Sequence, residues 1–282
     1  MTMSDAKMTW FVTGASSGFG REIAAEALAR GDRVVAAVRR PDSIADLAGH
    51  ERVRVVRLDV TKPAEIDAAV RDAEARFGGI DVLVNNAGFS ILGAVEETSE
   101  ADLRETMETM FFGAVALTRA VLPGMRERRS GTIVQITSMG GLTTSAGFGA
   151  YCAAKHALEG LSECMAKEVA PHGVEVLVVE PGAFRTALFG ASFRHMPATS
   201  AYSATVGAVR AWVRDNDGKQ PGDPKKAARA IVETVRSRGT GTRPLRLPLG
   251  ADAVTGIREK LSFIAADVDR TEAVARATDL EA

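Results

Sequence analysis

The opening of the chain constrains it most. Thr9-Trp-Phe-Val-Thr13, a short apolar run, breaks at Gly14-Ala15-Ser16-Ser17-Gly18-Phe19-Gly20. From Arg21 to Arg30 the apolar residues Ile23, Ala24, Ala27 and Leu28 then recur at helical spacing. The pattern is strand, glycine turn, helix. Glycines permit a tight turn and close backbone approach, and the N–H groups at a helix start can hold a pyrophosphate. The spacing is G-x3-G-x-G rather than the commoner G-x-G-x-x-G. Many turns carry glycine for geometry alone, so the turn needs support from elsewhere in the chain.

The same alternation continues. Arg33–Val38 reads as a second strand, Arg52–Leu58 as a third, Pro63–Phe77 as a helix, and Ile80–Val84 as a fourth strand stopping at Asn85-Asn86-Ala87-Gly88. Short connections between alternating strands and helices are what a parallel, doubly wound α/β sheet requires. Where the second strand ends, such a fold faces the adenosine ribose of a dinucleotide; an acidic residue there suits NAD, and an arginine accommodates the 2′-phosphate of NADP. Here Val38 is followed by Arg39 and Arg40. Two solvated loop arginines fit that position equally well.

A long helix is expected from Ala101 to Val121, with Leu103, Met107, Met110, Ala114, Leu117 and Val121 as its apolar stripe and Pro123 as its end. Thr132–Ile136 is a fifth strand, so Ser138 sits just past a strand's carboxyl end, where open α/β sheets bind ligands. Tyr151 and Lys155 follow, four residues apart on one face of a helix. The ammonium should favour the phenolate and move the tyrosine toward the pH at which it exchanges protons, making the pair a candidate general acid/base. By spacing alone, the pair also fits an ordinary surface helix. Strand Val174–Val179 leads to Pro181-Gly182-Ala183-Phe184-Arg185-Thr186.

Composition narrows the classes. With 46% hydrophobic residues and a net charge of −1, the 282-residue chain can bury a full core and offers no polyanion-binding surface. Nucleic acid is therefore not an expected partner. The first residues lack an apolar signal core, and no apolar run approaches the ~20 residues needed to cross a bilayer. The expectation is a soluble, cytoplasmic protein that does not engage a membrane. Cys152 and Cys164 lie on one helix, roughly 18 Å apart along its axis at 1.5 Å per residue, too far to bridge. No metal-ligand spacing is visible, and His50, His156, His172 and His195 read as structural.

Taken together, Thr13-Gly14-x3-Gly18-x-Gly20, Asn85-Asn86-Ala87-Gly88, Ser138, Tyr151-x3-Lys155 and Pro181-Gly182-x3-Thr186 resemble the short-chain dehydrogenase/reductase family in order and spacing. The resemblance runs from Thr9 to Thr186. It implies a Rossmann-type fold, a nicotinamide cofactor, and hydride transfer to or from a carbonyl or alcohol carbon. Tyr151 would then be the acid/base and Ser138 would hold the substrate oxygen. Lys155 would lower the tyrosine pKa and, with Tyr151, meet the nicotinamide ribose. The turn residues Gly14, Ser16, Ser17, Gly18, Phe19 and Gly20 would take the pyrophosphate, with Arg39 and Arg40 at the 2′-phosphate. Asp59 and Val60 would flank the adenine, Asn86, Ala87 and Gly88 would line the cofactor, and Pro181, Gly182, Phe184 and Thr186 would meet its carboxamide end. One position departs from the family: Gly113 fits a glycine that relatives precede by an asparagine, and here the asparagine position holds Met110. In relatives that asparagine seats a water joining the lysine to solvent.

The expected organisation is a single domain over residues 1–282. Residues 8–186 form the cofactor-binding and catalytic core, 187–224 a substrate lid, and 225–282 the closing helices and last strand. The lid segment carries Leu188, Phe189, Phe193, Met196, Tyr202 and Trp212, which fit either a lipophilic substrate or core packing. Pro224–Arg238 reads as a helix and Leu245–Leu249 as the last strand, its proline implying an edge or a strand end. Ala251–Ala265 and Thr271–Thr278 read as two amphipathic stretches. The reading is an NADP-preferring reductase or dehydrogenase of a small lipophilic carbonyl/alcohol pair, with NAD possible as cofactor. As in relatives, the chain would form a homodimer or homotetramer through the helix near Ala101 and the Tyr151 helix. Met110 leaves open a non-redox isomerase, dehydratase or cyclase, and a nucleotide-sensing binding protein is a third class.

Overall fold

The computed structural model describes residues 7–188, 190, 193–237 and 243–280. Phe189, in the expected lid, and Arg238, the expected end of the Pro224 helix, lie outside the described residues. Seven parallel strands form the main sheet: β1 (Thr9–Thr13), β2 (Arg33–Val38), β3 (Val53–Arg57), β4 (Val82–Asn85), β6 (Gly131–Ile136), β7 (Val174–Pro181) and β9 (Arg246–Leu249). Their spatial order is β3-β2-β1-β4-β6-β7-β9. The order reverses beside β1, so a crevice opens at the carboxyl ends of β1 and β4, the place where doubly wound sheets take ligands.

Alternation along β1 explains the two layers. Trp10 and Val12 turn toward a core completed by α1 (Gly18–Ala29) and α8 (Pro224–Arg236). Phe11 turns to the opposite core, closed by α3 (Pro63–Phe77), α5 (Gly113–Glu127) and α6 (Gly149–Val169). Strands covered on both faces read as continuous apolar runs, which is how they stood out in the sequence. The helices stop where local chemistry says they should. Pro63 opens α3 and Gly78 ends it at φ +83°, while Asp223 caps α8 by accepting from the Lys225 N–H at 2.8 Å. Fully buried Asp32 accepts from the Met8 N–H at 3.0 Å, from Trp10 Nε1 at 2.9 Å and from Arg236, tying α8 to the start of β1.

Several elements differ from the sequence reading. α1 begins at Gly18, inside the glycine turn, rather than at Arg21. The expected helix from Ala101 is α4 (Glu100–Met107), then a wider π turn over Glu108–Phe112, then α5. Pro123 lies inside α5 and does not end it. The carbonyl that loses its partner there belongs to Arg119, on the exposed face where water can take it, while Leu117, Val121 and Met125 keep the helix packed. Leu103, counted in the buried stripe, is exposed, and Thr106 is buried in α4 instead. Of the two readings of Pro248, an edge or a strand end, the sheet gives the edge: β9 is its outermost strand.

The segment after Thr186 is more structured than its sequence suggested. Two three-residue strands, β5 (Ser90–Leu92) and β8 (Phe193–His195), pair in parallel, and α7 (Val206–Asn216) packs beside them. Glu97 accepts from the Ala94 N–H at 2.8 Å, the Thr199 N–H at 2.7 Å and Arg210 at 2.8 Å. Arg194 grips both oxygens of Glu105 at 2.6 and 2.8 Å while lying 4.1 Å over the Phe89 ring. The two closing amphipathic stretches are one continuous helix, α9 (Ala251–Arg276). No helix among the described residues is long and apolar enough to cross a membrane.

Candidate active site

The crevice is a cavity of about 630 Å³ lined by residues from the ends of β1, β2, β4, β6 and β7. Its floor is built where β1 meets β4. The Thr13 hydroxyl accepts from the N–H groups of Asn86 (2.9 Å) and Ala87 (3.0 Å), and the Asn86 side-chain amide donates to the Thr13 carbonyl at 2.9 Å. Gly14 and Gly18 hold φ of +65° and +54°, a region that L side chains enter only with strain. A methyl group at Gly20 would lie 2.5 Å from both the Gly14 carbonyl oxygen and the Asn86 amide nitrogen. Gly20 thus permits the turn to close on its helix and, like Ala15 but unlike Gly14, Ser16, Ser17, Gly18 and Phe19, does not line the cavity. Ser17, ahead of α1, makes no side-chain cap bond, so the helix start is not closed by its own cap.

At one end stand Arg39, Arg40, Asp59 and Val60. Both arginines are exposed, and Asp59 accepts from the Thr61 N–H at 3.0 Å and hydroxyl at 2.8 Å. Burial pushes the Asp59 carboxyl up, but the Thr61 bonds and the charges of Arg39 and Lys62 outweigh it and hold the carboxyl below its usual range. Glu105, from α4, also faces this end. At the other end are Ser138, Tyr151 and Lys155, with Pro181, Gly182, Phe184 and Thr186 alongside. The Gly140 N–H donates to the Ser138 hydroxyl at 3.0 Å, and that hydroxyl shares a hydrogen bond with the Tyr151 phenol. Buried Lys155 donates to the Ile136 carbonyl at 2.8 Å, with its ammonium 5.8 Å from the centre of the Tyr151 ring.

The electrostatics correct one expectation. Tyr151 is not lowered by its lysine. Burial pushes it up to about 12, against the opposing bond from Ser138. The group moved down is Lys155, to about 8, because desolvation disfavours its charge more than Glu159 on the next turn supports it.

Several wall residues escaped the sequence reading. Phe89, Met139, Thr143 and Phe148 line the cavity, as does Asp252 in the first turn of α9. Asp252 accepts from the Ala183 N–H at 2.7 Å, and any side chain at Gly182 would collide with its carboxylate. Nothing local in the sequence signals this, because Asp252 lies 69 residues from Ala183. Of the lid residues, Leu188 and Trp212 reach the cavity, whereas Phe193, Met196 and Tyr202 pack into small cores behind it. Met110 is buried in the π turn and lines the cavity, its thioether seated over Gly88. His156 points away, its Nδ1 2.9 Å from the Cys152 carbonyl oxygen.

A seven-stranded parallel sheet with this crevice defines a Rossmann-type nucleotide-binding enzyme, and the comparison with known proteins gives its family. Residues 8–197 match the family described as short chain dehydrogenase, and the chain belongs to it. It is an NAD(P)-dependent dehydrogenase/reductase. Oxidoreductase BOA17 of Botryotinia fuckeliana is 40% identical over 248 residues, spanning 87% of this chain and 89% of that protein. The crystal structure of a short-chain dehydrogenase from Streptomyces avermitilis superposes with a TM-score of 0.91 at 48% identity, covering 98% of this chain and 100% of that one. A Burkholderia phymatum short-chain dehydrogenase/reductase in complex with NAD shares the fold, with a TM-score of 0.81 at 22% identity over 94% of this chain and 96% of that one.

The Lys155 shift makes a stability prediction. Between about pH 8 and pH 10.5 the unfolded chain keeps a proton that the folded lysine has lost, so folded-state stability rises with pH across that window. Below pH 8 both states are charged and the burial penalty is constant. In the cofactor-free protein, the unfolding free energy of wild type minus that of Lys155→Met should therefore climb by up to about 3 kcal/mol from pH 8 to 10.5. Urea unfolding at a series of pH values measures it, and a flat difference would contradict the assignment.

Proposed function

We propose that this protein is an NADP-preferring oxidoreductase of the cytoplasm that interconverts a carbonyl and an alcohol on a small lipophilic molecule. The observation that carries this reading is the Ser138–Tyr151 hydroxyl contact, backed by Lys155, in the same cavity as an uncapped, glycine-lined helix start. The residues present fit a dinucleotide. Gly14, Ser16, Ser17, Gly18 and Phe19 offer backbone and hydroxyl groups to a pyrophosphate, Gly20 lets the turn close, and Asn86, Ala87 and Gly88 line the middle of the cavity. Asp59 and Val60 would flank the adenine, and Pro181, Gly182, Phe184 and Thr186 would hold the far end, where Asp252 steadies the Gly182–Ala183 backbone. When bound, that cofactor supplies or accepts the hydride.

The chain's own groups do the rest. Ser138 donates a hydrogen bond to the substrate oxygen, and Tyr151 transfers the proton. In the protein alone burial keeps the phenol protonated at neutral pH, the form that gives a proton to a carbonyl oxygen in the reductive direction. Lys155, with Tyr151, would meet the ribose of the bound cofactor. Phe89, Phe148, Met139, Leu188 and Trp212 supply an apolar wall, which suits a lipophilic substrate.

Tyr151→Phe should lower kcat by two or more orders of magnitude with nearly unchanged cofactor affinity, since it removes a proton-transfer group and little binding surface. Turnover on a carbonyl and alcohol panel, followed by nicotinamide absorbance, measures it. Near-normal turnover in the variant would remove Tyr151 from the reaction. No hydride transfer by the wild type would favour the non-redox reading, which rests on Met110, since a thioether cannot replace the donors and acceptor of an amide. The π turn over Glu108–Phe112 bears on this point, because a widened turn leaves a backbone carbonyl outside regular pairing, an acceptor that a water could use in place of the missing amide.

NADP preference follows from Arg39 and Arg40 and from the lack of an acidic residue directly after β2. Arg39→Asp should replace attraction to the 2′-phosphate by repulsion and move preference toward NAD by an order of magnitude or more. Titration of both cofactors tests it, and equal affinities in the wild type would remove its basis.

The protein acts as a homodimer or homotetramer through the α4–α5 and α6 faces, where Phe112 is exposed. Light scattering at micromolar concentration should give a multiple of 29.8 kDa. A monomer mass would refute this arrangement.

A further inference from the structure

The far half of α9 has no neighbour in its own chain. From Leu261 to Leu280 every residue is exposed except Asp267, which is half-buried. Only Ala253 and Ile257, in its first two turns, are buried against the body. The sixteen residues from Leu261 to Arg276 thus stand off as an arm of about 24 Å at 1.5 Å per residue. A helix of that length in water alone is marginal, because helices draw most of their stability from packing.

The arm is not polar all round. Val254, Ile257, Leu261, Ile264, Val268, Thr271 and Ala275 follow a strict alternation of three and four residues, the a and d positions of a coiled coil; Ile257 is taken up by the body, so the seam open to a partner runs from Leu261. Along the free part, Leu261 is 59%, Ile264 44% and Val268 58% exposed. A 3.5-residue period is the seam of helix against helix, narrower than the stripe of a helix lying on a sheet.

Charges beside the seam choose the occupant and its direction. The g positions are Lys260, Asp267 and Val274, and the e positions are Arg258, Ala265 and Glu272. In a parallel pair of these arms, g faces e of the next heptad, so Asp267 would meet Glu272 of the partner subunit twice, like against like. In an antiparallel pair g faces g. With Leu261 layered on the partner's Ile264, Lys260 then meets the partner's Asp267, and the symmetry repeats the contact. Today Lys260 lies over the Phe263 ring and Asp267 takes Arg270, both exposed contacts that exchange at little cost. The outer face mixes Glu259, Asp269, Arg270 and Arg276, which does not resemble the basic face that a helix turns to an anionic membrane.

We propose that α9 is a self-pairing arm: its seam docks antiparallel on the α9 of a second copy of this chain. The contact is separate from the α4–α5 and α6 faces named above, so either can fail without the other. It also brings the partner's arm beside the first turns of α9, where Asp252 supports the wall of the active site.

Directed cross-linking tests this in full-length protein with Cys164→Ser, which removes the exposed native thiol. Chains carrying Leu261→Cys and chains carrying Ile264→Cys, one of them tagged for size, are mixed, allowed to exchange and oxidised. The antiparallel seam should give the mixed covalent dimer in several-fold excess over either homodimer. Lys260→Glu on both chains should slow cross-linking several-fold, and Lys260→Glu with Asp267→Lys should restore it. Homodimers from Ile264→Cys alone in excess of the mixed species would overturn the antiparallel seam. Absence of any covalent dimer, with circular dichroism showing native helix content, would overturn the pairing altogether. So would co-sedimentation of the unmodified protein with phosphatidylserine vesicles through α9, lost in Leu261→Ser.

Discussion

Everything this protein does depends on the close meeting of two backbone turns, one after β1 and one after β4. A single hydroxyl, that of Thr13, accepts two N–H groups from the second turn while the Asn86 amide reaches back to the first. The contact leaves no room for a side chain at Gly20. Because the sheet order reverses at this point, helices leave to opposite faces and the crevice between them stays open. The glycine turn is the rim of that crevice, and the rest of the active site is hung from neighbouring strand ends.

The second organising cost is the burial of Lys155. Desolvation pulls its ammonium down to about 8, and the bond to the Ile136 carbonyl fixes it beneath Tyr151. In the protein alone, this arrangement leaves the phenol protonated rather than ionised. Burial acts on both groups in the direction that neutralises them, which is what a low-dielectric pocket does to a phenol and an amine alike. The Ser138 hydroxyl then becomes the polar partner of the phenol.

The segment expected to be a lid is a docked wall. The Arg194–Glu105 fork, the bonds from Thr199 and Arg210 into Glu97 and the β5–β8 pairing hold residues 193–213 against the body. Its apolar residues divide accordingly: those facing inward to the wall form its own small core, and Leu188 and Trp212 face the cavity. Asp252 extends the same logic from the other side, since the first turn of α9 braces the Gly182–Ala183 backbone.

Much of this was readable in the sequence because the signals are local. Strands covered on both faces announce themselves as apolar runs, and β2 and α3 fall where Arg33–Val38 and Pro63–Phe77 placed them. The glycine turn and the Tyr151–Lys155 spacing are local as well, and the family they resemble is the family the chain belongs to. What depends on distant partners was not readable. Pro123 looked like a helix end because its missing N–H is a local fact, whereas the packing of Leu117, Val121 and Met125 that carries α5 past it is tertiary. β5 and β8, three residues each, are too short to show a period and exist only because they find each other across 103 residues, Ser90 against Phe193. The direction of the Tyr151 shift followed the same rule. Sequence placed a cation four residues away, but the shift is governed by the depth of burial, which is set by strands and helices far along the chain. The sequence alone therefore determined the order of the elements and the chemistry of the key side chains. Only the tertiary structure decided how dry the site is, which walls close it, and that α9 leaves the body with an apolar seam uncovered.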